Sequence, residues 1–192
     1  MTAVLPATCQ IALKEWAGVI HALDRGEQLV LIRKGGLVEA SKGFELLSDS
    51  FIFYPTFEHQ TVNFLRPEFR GAFDEAMAHK PADGSLRLAV AGVAAWSAKS
   101  TRADLVQRLR SFHLYNDQFA TQRLKWQPDQ PLVVTAVRAF RLPAPRVVPM
   151  RPAYAGCTSW VTLDEPIALD GAAPVLEARV FEERLAQIKA LC

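Results

Sequence analysis

The sequence lacks any apolar run long enough to cross a bilayer. Its longest uncharged apolar segment is LAVAGVAAW, residues 88–96, whereas a membrane-spanning helix needs about 18 or more such residues. We expect no secretory signal either, because no charge precedes Lys14 and Pro6 interrupts the first apolar residues. We therefore expect no membrane partner and a cytoplasmic location.

Cysteine is scarce, and its spacing excludes two further classes of protein. The chain has an odd number of cysteines, and they lie far apart, at Cys9, Cys157 and Cys192. This spacing predicts neither a disulfide framework nor a CxxC zinc site. The histidines also lack metal-ligand spacing. Neither GxxxxGK[ST] nor GxGxxG is present, so no nucleotide motif is recognised. We predict no metal and no cofactor.

Charge is low overall but unevenly distributed. The net charge is +2, half of the 192 residues are apolar and 22% are charged, which is typical of one folded domain spanning residues 1–192. Residues 99–151 carry ten basic and three acidic side chains. This segment predicts either an anion-binding surface or a solvated basic face.

Residue patterns predict an α+β fold. The predicted strands are residues 28–34, 51–54, 86–96, 131–142 and 159–163. The predicted helices are residues 11–23, 67–79, 101–110 with a Thr101–Asp104 cap, 116–125 with an Asn116 cap, and 175–191. The three prolines of residues 143–149 predict an extended connector. Since βαβ units do not repeat, we expect a mixed or barrel-like sheet with peripheral helices.

The first candidate cluster is Arg33-Lys34-Gly35-Gly36. Two glycines allow backbone amides to approach a ligand closely, and two cations add positive charge, which together favour a phosphate or carboxylate. A plain glycine turn after a solvated strand end is the alternative.

The second candidate cluster follows a predicted strand and contains Tyr54, Glu58 and His59. An imidazole titrates near neutrality, so His59 is the best candidate for a general acid or base, with Glu58 or Tyr54 assisting. These groups could instead cap a turn.

The third candidate cluster combines cations with aromatic rings. Arg123, Lys125 and Arg138 would extend a phosphate track, and Trp126 would stack on a base. Trp126 as a core residue is the alternative.

These clusters together resemble a known family. Lys14-Glu15-Trp16, Arg33-Lys34-Gly35-Gly36, residues 54–60, Arg123-Leu124 with Trp126, and residues 156–160 are similar to the bacterial domain of unknown function, family 1802. The resemblance covers nearly the whole chain and implies no catalytic residue. Association of family members with restriction-endonuclease domains implies RNA or DNA as a partner, together with a restriction-type partner protein.

A second resemblance is to the PUA-like and ASCH barrels. It rests on a helix, a turn at Gly26 to Gln28 and a strand ending in Arg33. This resemblance implies a PUA-like sheet that binds RNA or modified bases.

Three functions therefore stay open at this point. The first is a domain that binds nucleic acid or a nucleotide-like anion through Arg33, Lys34, Gly35, Gly36 and the third cluster. The second is a metal-independent hydrolase or nuclease that uses His59 as general acid or base. The third is a non-catalytic adaptor.

Overall fold

The computed structural model describes residues 4–34, 44–58, 61–81, 84–126, 128–156 and 158–192. The strands are β1 Thr8–Trp16, β2 Val30–Arg33, β3 Ser50–Thr56, β4 Ser85–Ser100, β5 Leu132–Pro149, β6 Trp160–Ala168 and β7 Ala173–Pro174. The helices are α1 Ala17–Asp24, α2 Arg70–Ala78, α3 Leu105–Arg108, α4 Asp117–Lys125 and α5 Ala178–Leu191.

All seven strands form one mixed sheet. The order is β2-β5-β4-β3-β1-β6, and β7 pairs with β5. Strands β1 and β3 run parallel, whereas the other pairs are antiparallel. The predicted α+β class with a mixed sheet and peripheral helices is confirmed.

The sheet is strongly curved. Three strands separate β2 from β1, so a flat sheet would hold these two strands about 19 Å apart at about 4.8 Å per strand. Instead, the Arg33 guanidinium at the end of β2 lies 2.9 Å from the Glu15 carboxylate on β1. The curvature therefore brings two distant strands of the sheet together at one end.

The two faces of the sheet belong to two apolar cores. Phe51 and Phe53 on β3 lie in the larger core, which also contains buried residues of α1 and α5. Ile52 and Tyr54 on the same strand lie in the smaller core, against β6. This split follows from the alternation of side chains along a strand.

Gly92 on β4 lies where three buried side chains leave no room for a Cβ. A Cβ at this position would lie 2.8 Å from the Phe51 ring, 2.9 Å from the Phe53 ring and 2.9 Å from Val137. Because these side chains are buried and cannot move aside freely, we expect Gly92→Ala to lower the free energy of unfolding by about 1–3 kcal/mol. Urea denaturation measures the change.

Gly71 on α2 supplies the matched control, since an added Cβ there meets no atom of the described residues within 4 Å. Gly71→Ala is expected to leave the free energy of unfolding unchanged or to raise it by up to about 1 kcal/mol. Equal effects of the two substitutions would contradict the packing argument.

The predicted helix over residues 11–23 is wrong in its first half. Residues 8–16 form β1, and the helix begins only at Ala17. Of the residues whose helical spacing supported the prediction, Val19, Ile20 and Leu23 lie on α1, whereas Trp16 is the last residue of β1. Lys14 and Glu15 are buried on the strand because β1 lies between β3 and β6.

The predicted Thr101–Asp104 cap is also wrong. Asp104 makes no side-chain capping bond to α3, since its carboxylate accepts hydrogen bonds from Arg102 at 3.1 and 3.2 Å. The helix itself is short, Leu105–Arg108. By contrast, the Asn116 cap of α4 is confirmed, because its side chain accepts from the backbone N–H groups of Gln118 and Phe119.

The proline-rich connector belongs to β5, which extends to Pro149. Pairing with β4 shifts register between Leu88 and Val90, opposite Arg146 and Arg141. The prolines at 143 and 145 lie inside this irregularity, where a missing N–H breaks no ladder hydrogen bond. The segment is extended as predicted, but it is a strand and not a connector.

Within the described residues, every helix is too short or too polar for a bilayer crossing.

Candidate functional site

The candidate site begins at the carboxyl ends of the parallel strands β1 and β3. Their register pairs Lys14 with Tyr54 and Trp16 with Thr56, so residues 14–16 and 54–56 lie side by side. The ends of parallel strands commonly carry functional side chains because both chains leave the sheet at the same edge.

Glu15 and Arg33 form a largely buried ion pair at this edge. Glu15 Oε2 accepts a hydrogen bond from Arg33 Nη2 at 2.9 Å, and the side chains are 10% and 16% exposed. Glu15 Oε1 accepts from the Trp16 N–H at 2.9 Å. Arg33 also donates to the Lys14 carbonyl, and its guanidinium lies 5.2 Å from the centre of the Phe44 ring. The pair therefore fixes the end of β2 against β1.

Lys34, only 2% exposed, connects β2 to the carboxyl end of α4. Its ammonium donates to the carbonyls of Arg123 at 3.1 Å and Leu124 at 3.2 Å. Carbonyls at a helix carboxyl end carry partial negative charge and favour such a cation. Burial, followed by the charge of Arg123, lowers the pKa of Lys34 below its usual value. Lys34 therefore holds α4, and with it Arg123, at the site.

Arg123 lies on α4 above a stacked pair of rings. Its guanidinium is 5.2 Å from the centre of the Phe119 ring, and that ring stacks on Tyr115 with centroids 3.7 Å apart and planes 5° apart. Burial lowers the pKa of Arg123 and raises the pKa of Tyr115 above its usual value. At neutral pH the arginine stays charged, since a guanidinium keeps its proton in proteins, and the phenol stays neutral.

Tyr54 forms the opposite wall together with Tyr154. The two rings meet edge to face at 6.3 Å, and the Lys14 ammonium lies 5.5 Å from the centre of the Tyr54 ring. Burial, aided by Tyr154 and Glu58, raises the pKa of Tyr54. Its phenol is therefore protonated at neutral pH and can donate a hydrogen bond but not accept a proton.

These walls enclose a cavity of about 470 Å³. Among the described residues that line it, five are basic and two are acidic. The charged lining residues are Lys14, Arg33, Lys34, Lys80, Arg123, Glu15 and Glu58. We call this space the basic cavity; its positive charge lies on residues from β1, β2 and α4 and from the segment after α2.

The structure brings only some of the residues singled out from the sequence to the basic cavity. Arg33, Lys34, Tyr54, Glu58 and Arg123 all line it. Their convergence joins three clusters that are far apart in sequence.

The others lie elsewhere or outside the described residues. Lys125 and Trp126 are exposed at the end of α4 and do not line the cavity. Arg138 is 8% exposed on β5, with its guanidinium 5.4 Å from the Phe140 ring and 5.7 Å from the Phe181 ring, so it lies beneath α5. Three predicted residues, Gly35, Gly36 and His59, lie outside the described residues.

The basic segment of residues 99–151 does not form one continuous surface. Arg141 pairs with Asp24 at 2.7 Å and Arg151 pairs with Asp164 at 2.9 Å. Arg108 donates to the carbonyl of Leu191. Several of its cations are therefore neutralised by acidic partners from other segments or hold the fold together.

Sequence reasoning did not select Lys14, Glu15 or Tyr115 as site residues. Lys14 and Glu15 had appeared only within the family resemblance, on a predicted helix. A useful signal is a Lys-Glu pair inside an otherwise apolar segment, because charges are rarely buried without a partner. In the described ranges, no three His, Cys, Asp or Glu side chains gather in a geometry that could hold a metal ion.

A family model described as "Domain of unknown function (DUF1802)" matches residues 12–187. The chain belongs to this family. The DUF1802 match begins on β1 and ends on α5, so it includes every described charged residue of the basic cavity. The predicted family membership is confirmed.

The DUF1802 chain is also similar to a solved structure, that of a mutant ZmASCH protein from Zymomonas mobilis. The identity is 10%, the match covers 84% of this chain and 92% of that chain, and the TM-score is 0.49. The second predicted resemblance, to the ASCH group, thus has a structural counterpart, but at this similarity nothing about ligand or activity follows from it. No curated protein matches the chain in sequence.

Proposed function

We propose that the basic cavity binds the phosphate-bearing part of a nucleic acid or of a nucleotide-like anion. The observation that carries the proposal is the excess of positive charge inside a concave space. Arg33 and Lys34 at the end of β2 meet Arg123 of α4 there, and Glu15 is the single buried carboxylate among the described lining residues. Buried charge without full compensation is costly, so an anion that enters the cavity is favoured.

Aromatic rings beside these cations favour a nucleotide over a simple anion. Trp16 lines the cavity, is less buried than Tyr115 and Phe119, and stacks on Phe64 with ring centroids 6.3 Å apart. We propose that Trp16 contacts the base while Arg123 and Arg33 face the phosphate. Such a pairing of rings with cations is how proteins bind single-stranded nucleic acids.

The test is a fluorescence titration of the full chain with a short single-stranded RNA or DNA. Arg123→Gln removes one cavity charge, and we expect it to weaken binding by about tenfold or more, since a hydrogen bond to a charged group contributes about 1.5–3 kcal/mol. Binding by the unchanged protein is expected to weaken steeply between about 50 and 200 mM salt.

Lys125→Gln is the matched control. It removes the same charge from the same helix, but from an exposed residue outside the cavity, and we expect less than about a threefold change. If Lys125→Gln weakens binding as much as Arg123→Gln, the ligand follows an exposed surface and not the cavity. Absence of salt-sensitive binding to any nucleic acid would refute the proposal.

The other two functions stay predictions. General acid or base chemistry requires His59, which lies outside the described residues, and Tyr54 at neutral pH is a proton donor only. The restriction-type partner protein and the adaptor role follow only from the family resemblance.

A further inference from the structure

We infer that the basic cavity is matched to a terminal phosphate, the phosphomonoester of a free nucleotide or of a strand end, and not to an internal phosphodiester. This inference rests on the proposed function and specifies its ligand. It is carried by two observations, the size of the positive charge excess in the cavity and the position of the cations inside it.

The charge excess suits a doubly charged group. Among the described lining residues that are not exposed, the cations of Lys14, Arg33, Lys34 and Arg123 oppose only Glu15, which leaves an excess of three. A phosphomonoester carries about −1.5 to −2 at pH 7, whereas each internal phosphate of a strand carries one negative charge. A monoester therefore compensates about two of these three positive charges, whereas a diester compensates only one.

The position of the cations also favours the phosphate at a strand end over an internal phosphate. A strand bound along its length follows cations exposed on an open groove. Here Lys34 is 2% exposed and the Arg33 side chain 16% exposed, so a phosphate must enter the cavity to approach them. A chain end can enter without bending the strand on both sides, whereas an internal phosphate cannot.

The cavity size agrees with one nucleotide. At about 470 Å³ it falls within the range of about 300–1,000 Å³ typical of small-molecule sites. Trp16 and Tyr54 line the same cavity as the cations, which leaves an apolar wall for the base or sugar attached to the phosphate.

The experiment compares ligands that differ only at the phosphate. The full chain is titrated with one short RNA sequence in four forms: 5′-phosphate, 3′-phosphate, hydroxyl ends, and a 5′-phosphate blocked as its methyl ester, which has one charge fewer. Uridine monophosphate and uridine test the free nucleotide. We expect a phosphorylated form to bind about tenfold tighter than the hydroxyl and methyl-ester forms.

Two cavity variants tie any preference to the cavity. Arg123→Gln should abolish the preference for the phosphorylated end, and Arg123→Lys, which keeps the charge, should retain most of it. Thermal unfolding of both variants establishes that they are folded.

Each outcome decides between the inference and the proposed function. A preference for the phosphorylated end that Arg123→Gln removes supports both, and binding of uridine monophosphate alone identifies a free nucleotide as the source. Equal, salt-sensitive affinity for all RNA forms, weakened by Arg123→Gln, overturns the terminal-phosphate inference but leaves the proposed function standing. If neither the RNA forms nor uridine monophosphate bind, the terminal-phosphate inference and the proposed function are both overturned.

Discussion

Replacing Glu15 by glutamine is expected to lower the free energy of unfolding by about 3–5 kcal/mol, because removing one partner of a buried ion pair leaves the other charge uncompensated. Arg33 would then lie beside Lys34 and Arg123 with no nearby buried carboxylate among the described cavity residues. Glutamine keeps the shape and can still accept the Trp16 N–H that now bonds Glu15 Oε1. The substitution therefore changes the charge and keeps the shape of the side chain. Urea denaturation measures the resulting change in the free energy of unfolding.

Glu183→Gln is the control for this substitution. Glu183 pairs with Arg179 on α5 at the same 2.9 Å distance, but the two side chains are 57% and 84% exposed, so we expect a loss of no more than about 0.5 kcal/mol. A similarly small loss for Glu15→Gln would show that the buried pair contributes little to stability.

Glu15→Gln also separates stability from binding. The variant removes a negative charge from a cavity proposed to hold an anion, so its affinity for phosphorylated RNA is expected to rise while its stability falls. A parallel fall in both quantities would indicate that the cavity collapses without the ion pair.

The second large effect is a loss of stability in acid caused by His113. This residue is 1% exposed, its Nε2 lies 2.7 Å from the Val106 carbonyl, and its Nδ1 accepts from the Tyr115 N–H at 3.1 Å. Both ring nitrogens are thus used by the neutral form. Burial, with smaller contributions from Arg66 and Arg110, lowers the pKa of His113 to about 4.

The sign of this effect follows from the two pKa values. In the unfolded chain a histidine titrates near 6.5, so between about pH 6.5 and 4 the unfolded state takes up a proton that the folded state does not. The contribution of His113 is therefore fully present above pH 6.5 and is lost as the pH falls toward 4. The loss amounts to about 3 kcal/mol.

His113→Gln tests the assignment. Glutamine cannot take up a proton, so the variant is expected to be less stable at pH 7 but to lose less stability than the unchanged protein between pH 7 and 4. Chemical denaturation at several pH values gives the slope of the free energy of unfolding against pH for the variant and for the unchanged protein. Identical slopes would contradict the assignment to His113.

Local patterns predicted most of the secondary structure because each one acts within a few residues. The Asn116 cap bonds N–H groups two and three residues away, and the strand over residues 86–96 follows from its alternating large and small side chains. The prediction of the first helix was wrong in its first half because burial of Lys14 and Glu15 depends on pairing with β3 and β6. No local sequence pattern reports such long-range pairing.

The candidate site could be predicted only in part for the same reason. Arg33 and Lys34 stood out beside the glycines, and Arg123 stood out among aromatic residues. Their actual partners are set by the curvature of the sheet, which places the Arg33 guanidinium against Glu15 and the Lys34 ammonium against the end of α4. Arg138 belongs to the same basic segment as Arg123, yet the strand carries it beneath α5.

The placement of β1 between β3 and β6 has a consequence for the folding pathway. Lys14 donates to the Gly156 carbonyl, 142 residues further along the chain, and β1 cannot pair on that side until β6 is available. Closing so long a loop costs entropy before any contact repays it, and such topologies fold slowly. We therefore expect the basic cavity to assemble late in folding, so that contacts made there stabilise the protein mainly by slowing its unfolding.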